Sequence, residues 1–139
     1  MFNWLRRKDT AVLEFPDNAS AFAHACTCGY PLLINARIPA LVLEEGHRGS
    51  AGERCFLLHL ASQQEPLEIW GCTLADAPAH PDVGDLVSFR IVRIATELPV
   101  HASLIGYIDN RLQPVLVGNR GWRIATSFMS GNIKPELHL

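Results

Sequence analysis

The sequence is poor in charged residues and has no clear excess of either sign. Of its 139 residues only 19% are charged, with 12 Lys and Arg against 14 Asp and Glu. A formal charge of −2 and a pI near 6.3 argue against a generally basic nucleic-acid-binding protein. The hydrophobic content of 48% is too high for a disordered chain. Single domains cluster at about 100–150 residues, so these values predict one globular domain.

No stretch of the sequence has the pattern of a signal peptide or of a membrane span. The N-terminus places its apolar residues before its basic ones, which is the reverse of a secretory signal. The uncharged stretch 18–36 is interrupted by His24, Gly29, Pro31 and Asn35, so it is a poor candidate for crossing a bilayer. We therefore expect a cytoplasmic protein without a membrane span. In the cytoplasm its four cysteines are expected to be reduced thiols.

Recognisable catalytic motifs are also missing from the sequence. It has no Gly-x-Ser-x-Gly nucleophile motif and no dinucleotide fingerprint. Gly46, Gly49 and Gly52 form a glycine-rich loop that lacks the Lys-Ser/Thr pair of a phosphate loop. These absences predict a protein that is not an enzyme and that carries no cofactor and no metal.

One segment near the N-terminus has the pattern of a helix, and the rest of the chain alternates between strands and turns. Residues 17–26 are rich in alanine, begin at Asp17 or Asn18 as N-cap, and are followed by Gly29 and Pro31. Strands are predicted over 38–43, 54–60, 67–74, 85–96, 100–109, 112–117 and 121–127.

Two polar stretches are predicted to be hairpin turns, because Asn and Gly tolerate positive φ. They are Asp109-Asn110 and residues 118–121. The resulting fold class is mainly β: a small β-barrel, OB-like or similar, with one short N-terminal helix, or alternatively a β-sandwich. Residues 1–16 are interpreted as an N-terminal lead-in, and residues 17–139 as a single globular β-barrel domain.

The strand candidate 85–96 changes its apolar phase midway. Val87, Phe89 and Ile91 share one face, but the pattern then shifts to Val92 and Ile94. Such a shift predicts a bulge or a strong bend, as in the long strands that serve both halves of a small barrel.

Several short segments resemble known proteins. Pro31-Leu32-Leu33, Pro39 to Leu43, Gly84 to Phe89, Leu104 to Tyr107 and Pro135-Glu136-Leu137 are similar to segments in a family of small uncharacterised bacterial proteins. The turn-to-strand start Gly84-Asp85-Leu86-Val87 also resembles oligonucleotide-binding barrels. Neither resemblance implies catalytic residues.

His24, Cys26 and Cys28 are the main candidates for thiol or metal chemistry. On a helix His24 and Cys28 would share a face, whereas Cys26 would point away from it. This spacing matches no closed zinc site, and helical cysteines often act as small buried hydrophobic residues. A thiol- or metal-dependent enzyme that uses this region is therefore the third functional alternative.

Charge is distributed unevenly along the chain and suggests two binding faces. Residues 41–85 have a net charge of −6 and residues 86–139 a net charge of +3. The proposed acidic partner face consists of Glu44, Glu45, Glu53, Glu65 and Glu68. The proposed nucleic-acid face consists of Arg90, Tyr107, Arg111, Arg120, Trp122 and Arg123. Arginines interleaved with aromatic residues are typical of single-strand binding.

Trp122 can be either a stacking platform at the barrel rim or part of the core. We favour the core, because Ile124 continues the same apolar phase. The sequence as a whole favours a non-catalytic binding or interaction module that docks a protein partner, or a second copy of itself, through charge-complementary faces. A single-stranded nucleic-acid-binding barrel is the alternative.

Overall fold

A computed structural model describes residues 11–61, 67–95, 104–119, 121–129 and 137–138. Within these ranges the chain forms one helix and eight strands. The elements are β1 Val12–Glu14, α1 Asn18–Ala25, β2 Arg37–Arg48, β3 Arg54–Leu60, β4 Leu67–Cys72, β5 Leu86–Ile94, β6 Leu104–Val117, β7 Gly121–Ser127 and β8 Leu137–His138. The predicted mainly β fold with one short helix is confirmed.

Helix α1 begins and ends close to where the sequence predicts. The Asp17 carboxylate accepts a hydrogen bond from the backbone N–H of Ser20 at 2.7 Å, which satisfies one of the free amides of the first turn. After the helix, Gly29 has a φ of 70°, a conformation that glycine adopts without strain. Ala21, Phe22 and Ala25 point into the core and hold the helix against the barrel.

Strands β2 to β6 close into a five-stranded barrel with the order β4-β3-β2-β5-β6. A parallel pairing between Cys72 and Tyr107 joins β4 to β6 and closes it. Strand β2 serves both halves of the barrel, because its first part pairs with β5 and its last part pairs with β3. The prediction of a small barrel, rather than a sandwich, is therefore confirmed.

The second half of β6 extends beyond the barrel and carries three further strands. Strand β1 pairs with it on one side, with Val12 opposite Val117, and β7 pairs with it on the other side. Strand β8 adds to the outer edge of β7. Val12–Glu14 therefore forms a strand within the stretch that the sequence analysis interprets as a lead-in.

Strand β5 contains the predicted irregularity. Its pairing with β6 shifts register between Ser88 and Phe89 and again between Ile91 and Arg93. Val92 lies at the second shift and is exposed, whereas Ile91 is buried. The predicted bulge is confirmed, and it lets one strand follow the curvature of a closed barrel.

The hairpin turn predicted at Asp109-Asn110 is wrong. Strand β6 runs without interruption from Leu104 to Val117, and both residues are buried within it. Their side chains bond to groups on other strands, so tertiary contacts override the local preference for a turn. The other predicted turn is confirmed, because Gly118 takes a φ of 71° between β6 and β7.

Large apolar side chains from the barrel strands and from the β7 segment fill the hydrophobic core. The largest fully buried ones are Trp122, Phe56, Phe89, Phe128, Ile38, Leu58, Leu60, Leu86, Ile91, Ile108 and Val42. Within the described ranges, no helix is both long enough and apolar enough to cross a membrane.

Candidate functional site

Trp122 belongs to the core and not to any binding face. Its side chain is fully buried, and its indole N–H donates a hydrogen bond to the hydroxyl of Tyr30 at 2.6 Å. The ring of Phe15 lies 5.8 Å from the indole ring. The preference for a core position is thereby confirmed, and Trp122 is not available to stack on a nucleic-acid base.

Arg111 is held by contacts within the protein. Its guanidinium donates to the Asp85 carboxylate at 2.8 Å and to the backbone carbonyl of His80 at 2.9 Å. It also lies over the ring of Phe128, 5.4 Å from the ring centroid. Because these contacts occupy the guanidinium, Arg111 ties the 73–85 connection to the barrel and is a poor candidate for a phosphate contact.

Of the predicted nucleic-acid residues, Arg90 and Tyr107 are direct neighbours. They lie opposite each other on β5 and β6, and Arg37 lies opposite Arg90 on β2. Arg123 is exposed on β7, outside the barrel wall. Arg120 lies outside the described residues. The structure therefore retains a short row of Arg37, Arg90 and Tyr107 in place of the predicted six-residue face.

The acidic residues predicted to form a partner face lie on the last part of β2, on β4, and in the loop between β2 and β3. Glu45 forms an ion pair with Arg54. Glu53 accepts a hydrogen bond from the backbone N–H of Ala51 at 3.1 Å and so shapes the loop. Glu44 and Glu68 are exposed on the strands themselves. Glu65 lies outside the described residues.

The outer surface of the barrel carries an exposed tryptophan on the same face as Glu44 and Glu68. Trp70 has 54% of its surface exposed, although the neighbouring Ile69 on the same strand is buried. It lies opposite Leu57 on β3, and Leu57 lies opposite Glu44 on β2. The next row of outward side chains contains Leu41, His59 and Glu68. We call the outward side chains of these two rows the Trp70 face: Leu41, Glu44, Leu57, His59, Glu68 and Trp70.

The Trp70 ring leans across β3 and lies on the backbone of β2. A Cβ atom built on Gly46 would be only 2.3 Å from Cζ3 of the ring, so glycine is what allows this contact. Beside the ring is a cleft of about 260 Å³ lined by His47, Cys55 and Trp70. The ring is thus held in place on one side and open to solvent on the other.

The Trp70 face is bounded at its two ends by different structures. At one end the ring of Phe22, on the helix, stacks on His59 at 6.4 Å. His59 Nε2 lies 3.5 Å from the Glu68 carboxylate. At the other end Cys55 on β3 and Cys72 on β4 lie opposite each other. The two cysteines form a disulfide bond.

The disulfide corrects the expectation that all four cysteines are reduced thiols. Cys55 and Cys72 are directly opposed on antiparallel strands with a Cα–Cα distance of 4.0 Å, which brings the two sulfurs together. Cys26 and Cys28 are not part of a disulfide bond. The sequence analysis could not pair Cys55 with Cys72, because the pairing depends on the register between β3 and β4.

The His24, Cys26 and Cys28 region has the geometry of packing contacts. Cys28 Sγ lies 3.6 Å from the backbone carbonyl of His24, and the His24 ring lies 5.2 Å from that of Phe15. Both cysteines pack against the core. Across the part of the chain that the structure describes, no group of three or more His, Cys, Asp or Glu residues could hold a metal ion.

Asp109 is the centre of a buried polar cluster that the sequence analysis missed. Only 2% of its surface is exposed, and its carboxylate accepts a hydrogen bond from the Ser88 hydroxyl. Arg37 Nε lies 3.0 Å from the other carboxylate oxygen as an ion pair. Burial raises the pKa of Asp109, and the hydrogen bond from Ser88 and the charge of Arg37 oppose the rise only in part. The cluster joins β2, β5 and β6.

Trp70 could have been found from the sequence. Ile69 and Gly71 lie on the inward side of β4, so Glu68 and Trp70 share the outward side. That alternation is visible in Leu67 to Gly71, and it already separates an aromatic residue from the core. The sequence analysis instead included Trp122, in the arginine-rich C-terminal segment, in the proposed nucleic-acid face.

Comparisons with known proteins add no relative from which a function could be inferred. No family model, no curated protein and no solved structure matches the chain. The candidate site therefore depends on the geometry and charge of its own residues.

Proposed function

We propose that this protein is a non-catalytic docking module that binds a cationic segment of a protein partner on the Trp70 face. The observation that carries the proposal is the exposed indole of Trp70 on the same sheet face as Glu44, two strands away in the same row, and Glu68, two positions away on β4. Tryptophan is among the residues that most often dominate the binding energy of an interface. A tryptophan side chain exposed on a regular sheet face offers a large apolar surface on which a partner side chain can pack.

The charge of the Trp70 face indicates which partner it suits. Its six side chains include two carboxylates and neither a lysine nor an arginine. Glu44 has no ion pair within the described residues, and Glu68 faces only His59. Complementary charge steers association and disfavours partners of the same sign. A segment that combines lysine or arginine with apolar residues would satisfy both the carboxylates and the indole.

The topology of the barrel supports a binding role for this surface. Numbered from β2, the strands follow the closed order 1-2-3-5-4-1, with the third and fifth strands parallel. This closed five-stranded order is compatible with the resemblance to oligonucleotide-binding barrels at Gly84 to Val87. Such barrels bind their ligands on the second and third strands and on the adjoining loops. Here those strands are β3 and β4, where Trp70 lies.

Single-stranded nucleic acid is the second candidate ligand, and both the resemblance to oligonucleotide-binding barrels and one row of side chains favour it. Arg37, Arg90 and Tyr107 lie in register on three neighbouring strands, which places two cations beside an aromatic ring. Against it, Arg37 is already paired with Asp109. The nearby carboxylates of the Trp70 face would also repel a phosphate backbone. We therefore place this candidate second.

The binding experiment compares three labelled probes of matched length by fluorescence anisotropy. They are a peptide of alternating lysine and leucine, its glutamate and leucine counterpart, and a single-stranded DNA oligonucleotide. The proposal predicts that the basic peptide binds most tightly. Preferential binding of the oligonucleotide would support the second candidate instead, and preferential binding of the acidic peptide would contradict both.

Variants of the chain separate binding at the Trp70 face from general attraction. Trp70→Ala should weaken binding of the basic peptide by about 2 kcal/mol, as expected for a central interface residue. The matched control is Leu33→Ala, which shortens an equally exposed side chain elsewhere. Glu44→Lys should weaken binding more than Glu14→Lys, which makes the same charge change on β1. Equal effects of the two charge changes would indicate unspecific attraction.

We also propose a cytoplasmic location. Because thiols are kept reduced in the cytoplasm, the Cys55–Cys72 bond would there be exposed to exchange with small thiols.

A further inference from the structure

The Cys55–Cys72 disulfide lies on the outer surface of the barrel and is accessible to solvent. In β3 and β4 the inward residues are Phe56 and Gly71, so the two cysteines point outward, and both are half-buried. Exposed disulfides are the ones that exchange readily with other thiols, whereas buried structural ones resist reduction. This disulfide therefore has the accessibility that exchange requires.

The two sulfurs of the bond are not equally open to attack. A thiolate attacks one sulfur in line with the S–S bond, on the side opposite to the sulfur that leaves. For attack on Cys55 that side faces β2, because β3 lies between β4 and β2. Gly46 and His47 lie there in a register shift of β2, and the cleft lined by His47, Cys55 and Trp70 opens beside them. An incoming thiol can approach Cys55 through this cleft.

For attack on Cys72 the approach comes from the opposite side, which faces β6. Tyr107 is the residue of β6 that pairs with Cys72. Its side chain also points outward, because the residues on either side of it, Gly106 and Ile108, face the interior. The Tyr107 side chain therefore lies on the β6 side of Cys72, which is the side from which a thiolate would have to reach that sulfur.

We propose that Cys55–Cys72 is a site of reversible thiol–disulfide exchange with a low-molecular-weight thiol, and that Cys55 is the residue that takes the mixed disulfide. This inference does not depend on the proposed docking function. It assigns different roles to the two cysteines: Cys55 is attacked through the cleft, and Cys72 is the leaving group.

The exchange reaction needs no reductant other than the small thiol. A thiolate attacks Sγ of Cys55, the S–S bond breaks, and Cys72 leaves as a thiolate that takes up a proton. A second thiolate then attacks the sulfur of the bound small thiol, which releases the oxidised small-molecule disulfide and leaves Cys55 as a thiolate. Two electrons pass from two thiols to the protein disulfide, and the same steps in reverse restore it.

The test uses the folded wild-type protein and reduced glutathione as the probe. The reaction is stopped at early times with excess N-ethylmaleimide, which alkylates every free thiol and preserves mixed disulfides. A protease that cuts after glutamate separates the two cysteines, because Glu65 and Glu68 lie between them in the sequence. Mass spectrometry then locates the glutathione adduct, and circular dichroism verifies that the protein stays folded.

The proposal predicts glutathione on Cys55 and N-ethylmaleimide on Cys72. Predominant attachment to Cys72 or an even distribution would overturn it. It would also be overturned by a bond that glutathione opens only after denaturation, or by protein prepared under air in which Cys55 and Cys72 are themselves alkylated as thiols. Tyr107→Ala should admit glutathione to Cys72 as well, whereas Tyr107→Phe should keep the wild-type preference because it retains the ring.

Discussion

The indole N–H of Trp122 and the hydroxyl of Tyr30 form a buried hydrogen bond of 2.6 Å between residues 92 positions apart. Tyr30 follows the helix, and Trp122 is the second residue of β7. The bond therefore joins the N-terminal segment to the extension of the sheet beyond the barrel. Because both partners are polar and buried, each satisfies the other.

Trp122→Ala should destabilise the protein by about 3–5 kcal/mol, because the substitution leaves a large cavity in a fully buried site. Tyr30→Phe should cost less, about 1–3 kcal/mol, because it retains the ring and removes the hydroxyl that accepts the hydrogen bond from the Trp122 indole N–H. Denaturant unfolding of the two variants and the wild type measures both effects. A Trp122→Ala protein as stable as the wild type would contradict the core position.

Asp109 should make the free energy of unfolding rise as the pH falls. A carboxylate in a surface ion pair has the opposite effect. Burial raises the pKa of Asp109 above the usual value of 3.8, so the folded state binds a proton more tightly than the unfolded state. The free energy of unfolding contributed by this group therefore rises as the pH falls towards 3.8. Asp109→Asn removes the titration, so the wild type should gain stability relative to this variant on acidification.

The pH dependence is measured as the difference between the two unfolding curves at each pH. Taking the difference removes other titrating groups such as Asp17, whose pKa is lowered by its hydrogen bonds to Ser20 and whose contribution is lost as the pH falls. The exposed Asp76→Asn serves as the control. A flat difference between wild type and Asp109→Asn would show that Asp109 titrates as it does in the unfolded chain.

Removing the disulfide should lower stability without changing the fold. The two cysteines are 17 residues apart, and closing a loop of this size stabilises a protein by about 3 kcal/mol in the chain-entropy description. The Cys55→Ala, Cys72→Ala double variant should lose about this amount. Dithiothreitol should destabilise the wild type and leave the double variant unchanged, which separates loss of the bond from changes in packing.

Two glycine substitutions should have different consequences, one for peptide binding and the other for stability. Gly46→Ala places a methyl group 2.3 Å from the Trp70 ring, which can move, so this variant should fold but bind the basic peptide more weakly. Gly106→Ala places a methyl group 1.9 Å from the backbone oxygen of Arg90, which the barrel holds in place, so this variant should be strongly destabilised. Thermal unfolding and peptide titration of both variants check this. Unweakened binding by a folded Gly46→Ala would contradict the role given to the ring position.

The secondary structure was largely predictable, because local patterns dominate most of the chain. Strands 54–60 and 121–127 have the predicted boundaries, and the phase shift after Ile91 marks a real bulge. The failure at Asp109 has a physical reason. Asp and Asn favour turns when they are exposed, but here they bond to Ser88 on the neighbouring strand and remain in the strand.

The candidate site was less predictable, because it depends on register. Neither the disulfide nor the row of Glu44, Leu57 and Trp70 can be derived until the pairing of β2, β3 and β4 is known. The acidic character of this region was visible in the sequence. What the sequence analysis missed was the aromatic residue on the same face as the carboxylates, Trp70, although the alternation within β4 already placed it outside the core.

The most direct test of the central claim is a two-dimensional ¹⁵N NMR titration of the protein with the lysine and leucine peptide. The indole N–H signals of Trp70 and Trp122 report on the proposed face and on the core in the same spectrum. Our account predicts progressive shifts for the Trp70 indole and for the backbone amides of Glu44, Leu57 and Glu68, with the Trp122 indole unchanged. Shifts confined to Arg90, Tyr107 and their neighbours, with the Trp70 indole unmoved, would contradict it.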